Sequence, residues 1–410
     1  MACAHHIDDR LAIFQKMGFE PILLTSLCVP KWDKYLHYRV PSLSPSGLRF
    51  ELRQFFLRKG RNSLLWKLRN IILLPLLPLY ALERLFVRID TVWYWLPFAY
   101  LRGKWICKNH KIAMLYSTGG PAVAHSVGYR LKNTLNRNRK NIDSPGSVKW
   151  LAEVQDPLIH SYCANSEKEL QLLNRLETTI YDNADKMIFL TSRAMENTEK
   201  RIDRKGKGAV IYPGAVPIPR PDTHPEKPLE APKMIFGHFG SLGGVRNLAP
   251  LIAGLKQAIT KKPEILEHSV INLYGGIGDD DQQRIAEFEF PNLFTVQGKV
   301  PRADALAAMG QCDVLLLIQG KDPISTETIP SKLYEYLHVG CQVLALVYEN
   351  PEIETILTPL GHVSVSMKSD EIAKALLNLF NQWQNQKDVC PHPSPYTVEK
   401  AVEQFLALSN

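Results

Sequence analysis

The chain has 410 residues, enough for two domains with full cores, and its 45% hydrophobic and 22% charged content is that of a globular protein. Its seven cysteines are odd in number, scattered and never spaced Cys-x-x-Cys, which argues against a disulfide framework or a zinc site and suggests a reducing compartment. The net charge of +8 is uneven: residues 1–212 hold 33 Lys and Arg against 18 Asp and Glu, whereas residues 213–410 hold 16 against 23. A basic first half meets something anionic. Nucleic acid is disfavoured, because neither aromatic–basic interleaving nor a recognition motif accompanies the charge, and a membrane surface fits better.

No signal peptide is visible at the start. Residues 5–18 read as a helix that Gly18 ends, and 19–26 as a strand. Residues 27–50, rich in Pro and Ser, read as a loop. Within 51–106, the basic residues Arg53, Arg58, Lys59, Arg61, Lys67 and Arg69 precede the apolar run 71–82, and Trp93 and Trp95 follow it. That run is interrupted by Pro75 and Pro78 and is shorter than the ~20 residues a spanning helix needs. One reading places this basic, Trp-rich insertion in the interface of an anionic membrane. The other is a buried helical hairpin with a solvated basic face.

Residues 112–116 form a strand, and 117–125 a tight loop entering a helix, where Gly119 and Gly120 allow close backbone approach to a ligand. Residues 148–154 are the next strand, ending in Gln155-Asp156-Pro157. His125, at a helix start, is either a cap or packed residue or a functional group. Asp156 either caps the turn before Pro157 or acts in chemistry. A strand at 186–191, a helix from Ser192 and a strand at 209–212 complete a first domain, 1–212. Residues 213–232 hold seven prolines without apolar periodicity and read as a linker.

A second α/β domain occupies 233–394, and a helix at 395–410 is expected to cross back to the first. After its first strand, 234–239, comes Gly240-Ser-Leu-Gly243-Gly244 and then Arg246, a plausible diphosphate cradle of loop amides and one charge. Asp279-Asp280-Asp281 contains a D-x-D string, but it sits before a helix and reads as a cap rather than a metal site. The runs 313–318 and 342–347 read as buried parallel strands. Between them lies Glu327-Thr-Ile-Pro330-Ser-Lys332-Leu-Tyr-Glu335-Tyr336. Pro330 suits a helix start and Gly340 a helix end. Lys332, Glu335 and Tyr336 then share one face near the helix N-terminus, where an anion is favoured. Lys332 supplies charge for a phosphate, Glu335 an acceptor for two ribose hydroxyls, and Glu327 a carboxylate at the C-terminal sheet edge for sugar hydroxyls. The alternative is an ordinary amphipathic helix with a solvated Glu/Lys pair.

Two glutamates with seven residues between them, the second inside Pro-x-Lys-x-x-Glu-Tyr, resemble the E-x7-E signature of retaining glycosyltransferases of family 4. The stretch from Ser117 through His125, with 155–157, resembles two motifs of one bacterial branch of that family, Gln155 standing where Arg is usual. The resemblance implies the α/β GT-B fold, two Rossmann-like domains with a cleft between them. It implies that Glu327 contacts the donor sugar and Glu335 the ribose. Gly240, Gly243, Gly244, Arg246 and Lys332 would hold the diphosphate, the backbone at Val300 the base, and His125 and Asp156 would face the cleft. It further implies hexosyl transfer, with retention, from a nucleotide diphosphate sugar to a glycan or lipid-linked acceptor, as in surface polysaccharide assembly. Neither a cofactor nor a metal is expected. The location implied is cytoplasmic, peripheral on the inner face of the membrane. The sequence departs from the pattern at its start, where only four residues precede His5 and the family has a strand and a glycine loop. Rival readings are a sugar-nucleotide epimerase, which shares the fold, and a non-catalytic scaffold.

Overall fold

The computed structural model describes residues 2–60, 63–86, 93–119, 122–136, 147–160, 166–218, 233–385 and 391–409. Gly120, Pro121 and most of the stretch read as a linker lie outside the described residues. Twelve strands occur among them: β1 Ile22–Ser26, β2 Leu36–Val40, β3 Met114–Gly119, β4 Lys149–Val154, β5 Lys186–Phe189, β6 Gly208–Val210, β7 Met234–Phe239, β8 Ser269–Tyr274, β9 Phe294–Gly298, β10 Val314–Ile318, β11 Gln342–Val347 and β12 Val363–Ser366. All paired strands run parallel. The chain makes two compact units, one of Met1–Asp9, Thr191–Arg193 and Tyr212–Ala401, the other of Arg10–Leu190, Ala194–Ile211 and Val402–Asn410.

The first unit holds a six-stranded sheet in the order β12-β11-β10-β7-β8-β9. The chain steps outward from β7 to β9, then returns to β10 on the other side of β7. Strand order therefore reverses between β7 and β10, the place where open parallel sheets bind ligands beyond their carboxyl ends. Both faces are covered, as a parallel sheet requires. Val314, Leu316 and Ile318 of β10 pack with the helices Ala249–Lys261 and Ser369–Gln384 on one side. Leu315 and Leu317 pack on the other with Leu333, Tyr336 and Leu337. That double burial is why these strands read as continuous apolar runs.

The second unit holds the sheet β3-β4-β5-β6 and the separate pair β1-β2. Trp150, Ala152, Met187 and Phe189 form one core with Ile180 and Tyr181. Val40, Trp95, Ala99 and Val127 form another.

Two expectations are corrected here. Residues 27–50 are not one loop: they contain β2 and the start of a helix, Pro45–Arg58. Ser44 caps that helix by accepting from the amide of Gly47, and Pro45 begins it, a start signal the proline-rich composition masked. The apolar segment is also longer than the run 71–82. Leu64–Phe86, 23 residues, is long and apolar enough by length and composition to cross a membrane. It is two helices, Leu64–Ile72 and Leu77–Phe86, joined by a tight turn at Leu74–Leu76 that includes Pro75.

Candidate functional site

In the first unit the loop after β7 and the helix Lys332–Tyr336 converge on one residue, Phe239, at the carboxyl end of β7. The Tyr336 hydroxyl accepts from the Phe239 amide at 3.0 Å, and the Lys332 ammonium donates to the Phe239 carbonyl. Tyr336 is buried and serves as a brace, with the Phe239 ring stacked at 4.4 Å on Tyr274. Lys332 is thereby drawn to the sheet edge. Gly240 makes room for it: a Cβ there would lie 3.1 Å from the Lys332 Nζ and 3.4 Å from the His238 Nε2.

His238, at the end of β7, is a further member of this group, and it was not singled out in the sequence. Its Nδ1 stands 3.0 Å from the Leu316 carbonyl on β10, while its Nε2 is buried without a hydrogen-bond partner. Burial lowers its pKa to about 4, and the charges of Lys332 and Arg246 push the same way against the hydrogen bond to Leu316. Arg246 also presents a buried Nε without a partner. The Lys332 ammonium is held below the usual lysine range, first by burial and then by Arg246, with Glu335 opposing. Lys332 and His238 thus flank Gly240 at the topological switch, within reach of the Arg246 charge, and His238 and Arg246 keep unsatisfied buried nitrogens. Buried polar atoms of this kind call for a partner: Lys332 and Arg246 suit an anion, and His238, whose Nδ1–H donates to the Leu316 carbonyl, suits one at Nε2 only when protonated.

The glycine loop does less than a cradle of amides. The amides of Gly240, Leu242, Gly243 and Arg246 are all spent on backbone carbonyls. Gly243 and Gly244 are required for shape instead, with φ of 151° and 60°. Gly276, beside the end of β9, brings Lys299 near: a Cβ there would touch its side chain at 3.5 Å. Val300 follows, half-buried, at the same sheet edge.

Glu335 is not a free carboxylate. Its Oε1 accepts from Arg302 at 3.1 Å, and Arg302 also reaches Asp9 at 3.3 Å within the same unit. Glu327 is half-buried on a loop that two buried amides clamp. The Nε2 of Gln319 donates to the carbonyls of Ser325 and Thr328 at 2.9 and 3.1 Å. The Nδ2 of Asn350 donates to the same two carbonyls, both at 2.9 Å. Thr191 donates to the carbonyl of Glu327 itself at 2.7 Å. Gln319 and Asn350 were missed in the sequence, although each is a polar residue at the end of an apolar strand run. Asp281 is fully buried, where it accepts from the Leu248 amide at 3.0 Å and pairs with Arg284 at 2.9 Å. It fastens one helix start to another.

His125 and Asp156 lie in the second unit. His125 is fully buried; its Nδ1 is 2.9 Å from the Ser117 hydroxyl, which accepts from the Trp150 indole at 2.8 Å. Its Nε2 has no partner, and burial lowers its pKa to about 4 against the opposing charge of Glu153. Asp156 is exposed just beyond β4. A second group missed in the sequence sits beside them. Glu153, buried in the middle of β4, accepts from Arg10 at 2.5 Å, from Thr118 at 2.6 Å and from the Tyr116 hydroxyl. Gln155 extends the chain to Thr118 at 3.0 Å. Burial raises the Glu153 carboxyl pKa, but the Arg10 charge and these hydrogen bonds outweigh it and hold the group below the usual range. A carboxylate inside Trp-Leu-Ala-Glu-Val is the signal that called for a buried cation.

No protein-family model matches the chain, and comparison with curated proteins finds no match. Solved structures do resemble it. HepE of Anabaena, in complex with UDP and glucose, matches with a TM-score of 0.55 at 16% identity, over 75% of this chain and 80% of that one. A glycosyltransferase of Rickettsia africae matches with 0.56 at 12% identity, over 99% and 89%. A UDP-forming α,α-trehalose-phosphate synthase of Burkholderia xenovorans, in complex with glucose-6-phosphate, matches with 0.51 at 10%, over 76% and 78%. Identities this low speak for architecture, and the architecture of this chain is the GT-B fold.

Proposed function

We propose that this chain is a retaining glycosyltransferase that moves a hexosyl group from a nucleotide diphosphate sugar to a glycan or lipid-linked acceptor. The observation that carries the reading is Lys332 and His238 beside Gly240 where strand order reverses, with the Arg246 charge acting on both and buried nitrogens of His238 and Arg246 unsatisfied. A diphosphate satisfies that cluster, and Glu335 takes the ribose hydroxyls. UDP is the proposed nucleotide, supported by the UDP bound to HepE and the UDP-forming synthase among similar structures. Glu327, on its clamped loop, holds the donor sugar.

The acceptor hydroxyl attacks the anomeric carbon on the face the diphosphate leaves. The bond from that carbon to the phosphate oxygen breaks, the new glycosidic bond forms, and the departing oxygen takes the acceptor proton. Charge developing on the diphosphate is met by fixed cations, so the catalytic contribution of these residues is electrostatic. Asp156, exposed beyond β4, belongs to acceptor handling in the basic unit, and His125, fully buried against Ser117, positions the loop before it rather than touching the acceptor. The setting we propose is the cytoplasmic face of a membrane, in the assembly of surface polysaccharides or glycoconjugates. The test is incubation with a panel of nucleotide sugars and saccharide or polyprenyl-linked acceptors. Release of the nucleoside diphosphate should depend on acceptor, the product should retain the anomeric configuration, and Glu327→Gln should lose turnover while still binding the nucleoside diphosphate, which lacks the sugar. Interconversion of the donor without an acceptor would favour epimerisation instead.

A further inference from the structure

Among the described residues, 25 large apolar side chains stand exposed, and 11 of them fall between Leu64 and Phe86. That concentration is a patch rather than ordinary scatter. On Leu64–Ile72 the stripe is Leu64, Leu68 and Ile71, at 69%, 38% and 68% exposure, the i, i+4, i+7 spacing of one helix face. On Leu77–Phe86 it is Leu79, Leu82 and Leu85, at 52%, 53% and 69%, followed by Phe86 at 80%. Glu83 accepts from both the amide and the hydroxyl of Ser46 at 2.7 Å, which ties this helix to the start of Pro45–Arg58 while the leucines stay exposed.

Charge says what covers this face. The described residues 45–86 carry seven basic side chains and two acidic ones. Glu83 is one of the two and is engaged with Ser46, and the other, Glu51, accepts from the Ser42 amide at 3.0 Å. Arg53 and Arg58 on Pro45–Arg58, Lys59 at its end and Lys67 on Leu64–Ile72 are exposed, and Arg69 stacks at 4.1 Å on Trp66. A protein partner of matching shape would need an apolar groove rimmed with acid. An anionic bilayer offers apolar depth and negative charge together, over any area. Nor do the two helices make one straight span, since Pro75 and Pro78 break them and Lys67, Arg69, Glu83 and Arg84 would lie in hydrocarbon.

We infer that Leu64–Phe86 is a monotopic anchor: the two helices lie in the plane of an anionic membrane, leucines down and basic residues against lipid phosphates. The inference stands apart from the donor reading, since lipid binding is measured without nucleotide. The experiment is flotation of the full chain with phosphatidylcholine vesicles, with and without phosphatidylglycerol, at low and high salt. The wild type is expected to float with anionic vesicles at low salt and to wash off in alkaline carbonate. Ile71→Glu with Leu82→Glu should cut that binding at least tenfold with an unchanged melting temperature, because both positions are exposed. Arg53→Glu with Lys67→Glu should abolish the preference for anionic lipid. A wild type that stays at the bottom with both vesicles overturns the inference. So does resistance to carbonate, which would mean a spanning segment. So does a dimer in solution that the Ile71→Glu, Leu82→Glu variant splits while neither form floats.

Discussion

Arg302 holds the carboxylate of Glu335 at 3.1 Å, so the group proposed to take the ribose hydroxyls is already engaged by a cation. The pair is part-exposed, at 37% and 18% of the two side chains, and therefore contributes at most about 1 kcal/mol to stability. Its importance is orientation. Glu335→Gln should weaken nucleoside diphosphate binding about 10–100-fold, the worth of a charged hydrogen bond. Arg302→Ala should weaken it by less than about tenfold, because the carboxylate survives but is no longer aimed. Isothermal calorimetry with both variants checks the order.

His238 makes donor binding depend on pH. Its pKa of about 4 should rise if the proposed diphosphate sits beside its unpartnered Nε2. Binding should then take up protons, and affinity for a nucleotide sugar should increase as pH falls from about 7.5 to 6. A nucleotide sugar is the right probe, since its phosphates do not titrate in that window. His238→Gln should flatten the dependence, measured as proton uptake in two buffers of different ionisation enthalpy.

Fold stability should depend on pH for a related reason. His125 and His238 are both held near 4, below the ordinary value of 6.5. Between those limits the unfolded chain binds protons that the folded chain refuses. Stability is therefore full above about pH 6.5 and falls as pH drops toward 4, by on the order of 3 kcal/mol per histidine. Urea midpoints measured across that range should show the fall, and His125→Gln should reduce it.

The buried Arg10–Glu153 pair should be costly to break on one side. Arg10→Ala leaves a carboxylate buried in β4 and is expected to destabilise the fold by about 3–5 kcal/mol. Glu153→Gln keeps acceptors for Tyr116 and Thr118 and should cost less. Chemical denaturation of both variants checks this.

Asn350→Ala removes one of the two clamps on the loop that carries Glu327. Turnover should fall about tenfold while donor affinity stays within about threefold, because the phosphate cluster is untouched. The split between kcat and KM is the readout. Equal loss of both would mean that the loop and the phosphate site are one unit.

Much of the first unit was legible in advance. Uninterrupted apolar runs became β10 and β11, Gly340 takes its expected left-handed conformation at φ 81°, and the glycines after β7 form the turn read there. What was hidden depended on partners distant in sequence. His238 looks like one polar residue in a strand until β10 brings the Leu316 carbonyl to it, and Arg10 becomes a buried cation only when β4 presents Glu153. Gln319 and Asn350 acquire a role only through the fold of the loop between them. The strand β2 and the helix after it were lost because Pro and Ser at 41–46 read as loop, while Ser44-Pro45 is a cap and a first turn.

The central claim is that the crevice between β7 and β10 takes a nucleoside diphosphate, and a thermal-shift panel of UDP, GDP, ADP, dTDP and CMP tests it most directly. The account predicts that UDP raises the melting temperature of the wild type and that Lys332→Ala and Glu335→Gln each lose most of the shift. No shift with any nucleotide, or an undiminished shift in both variants, would contradict it.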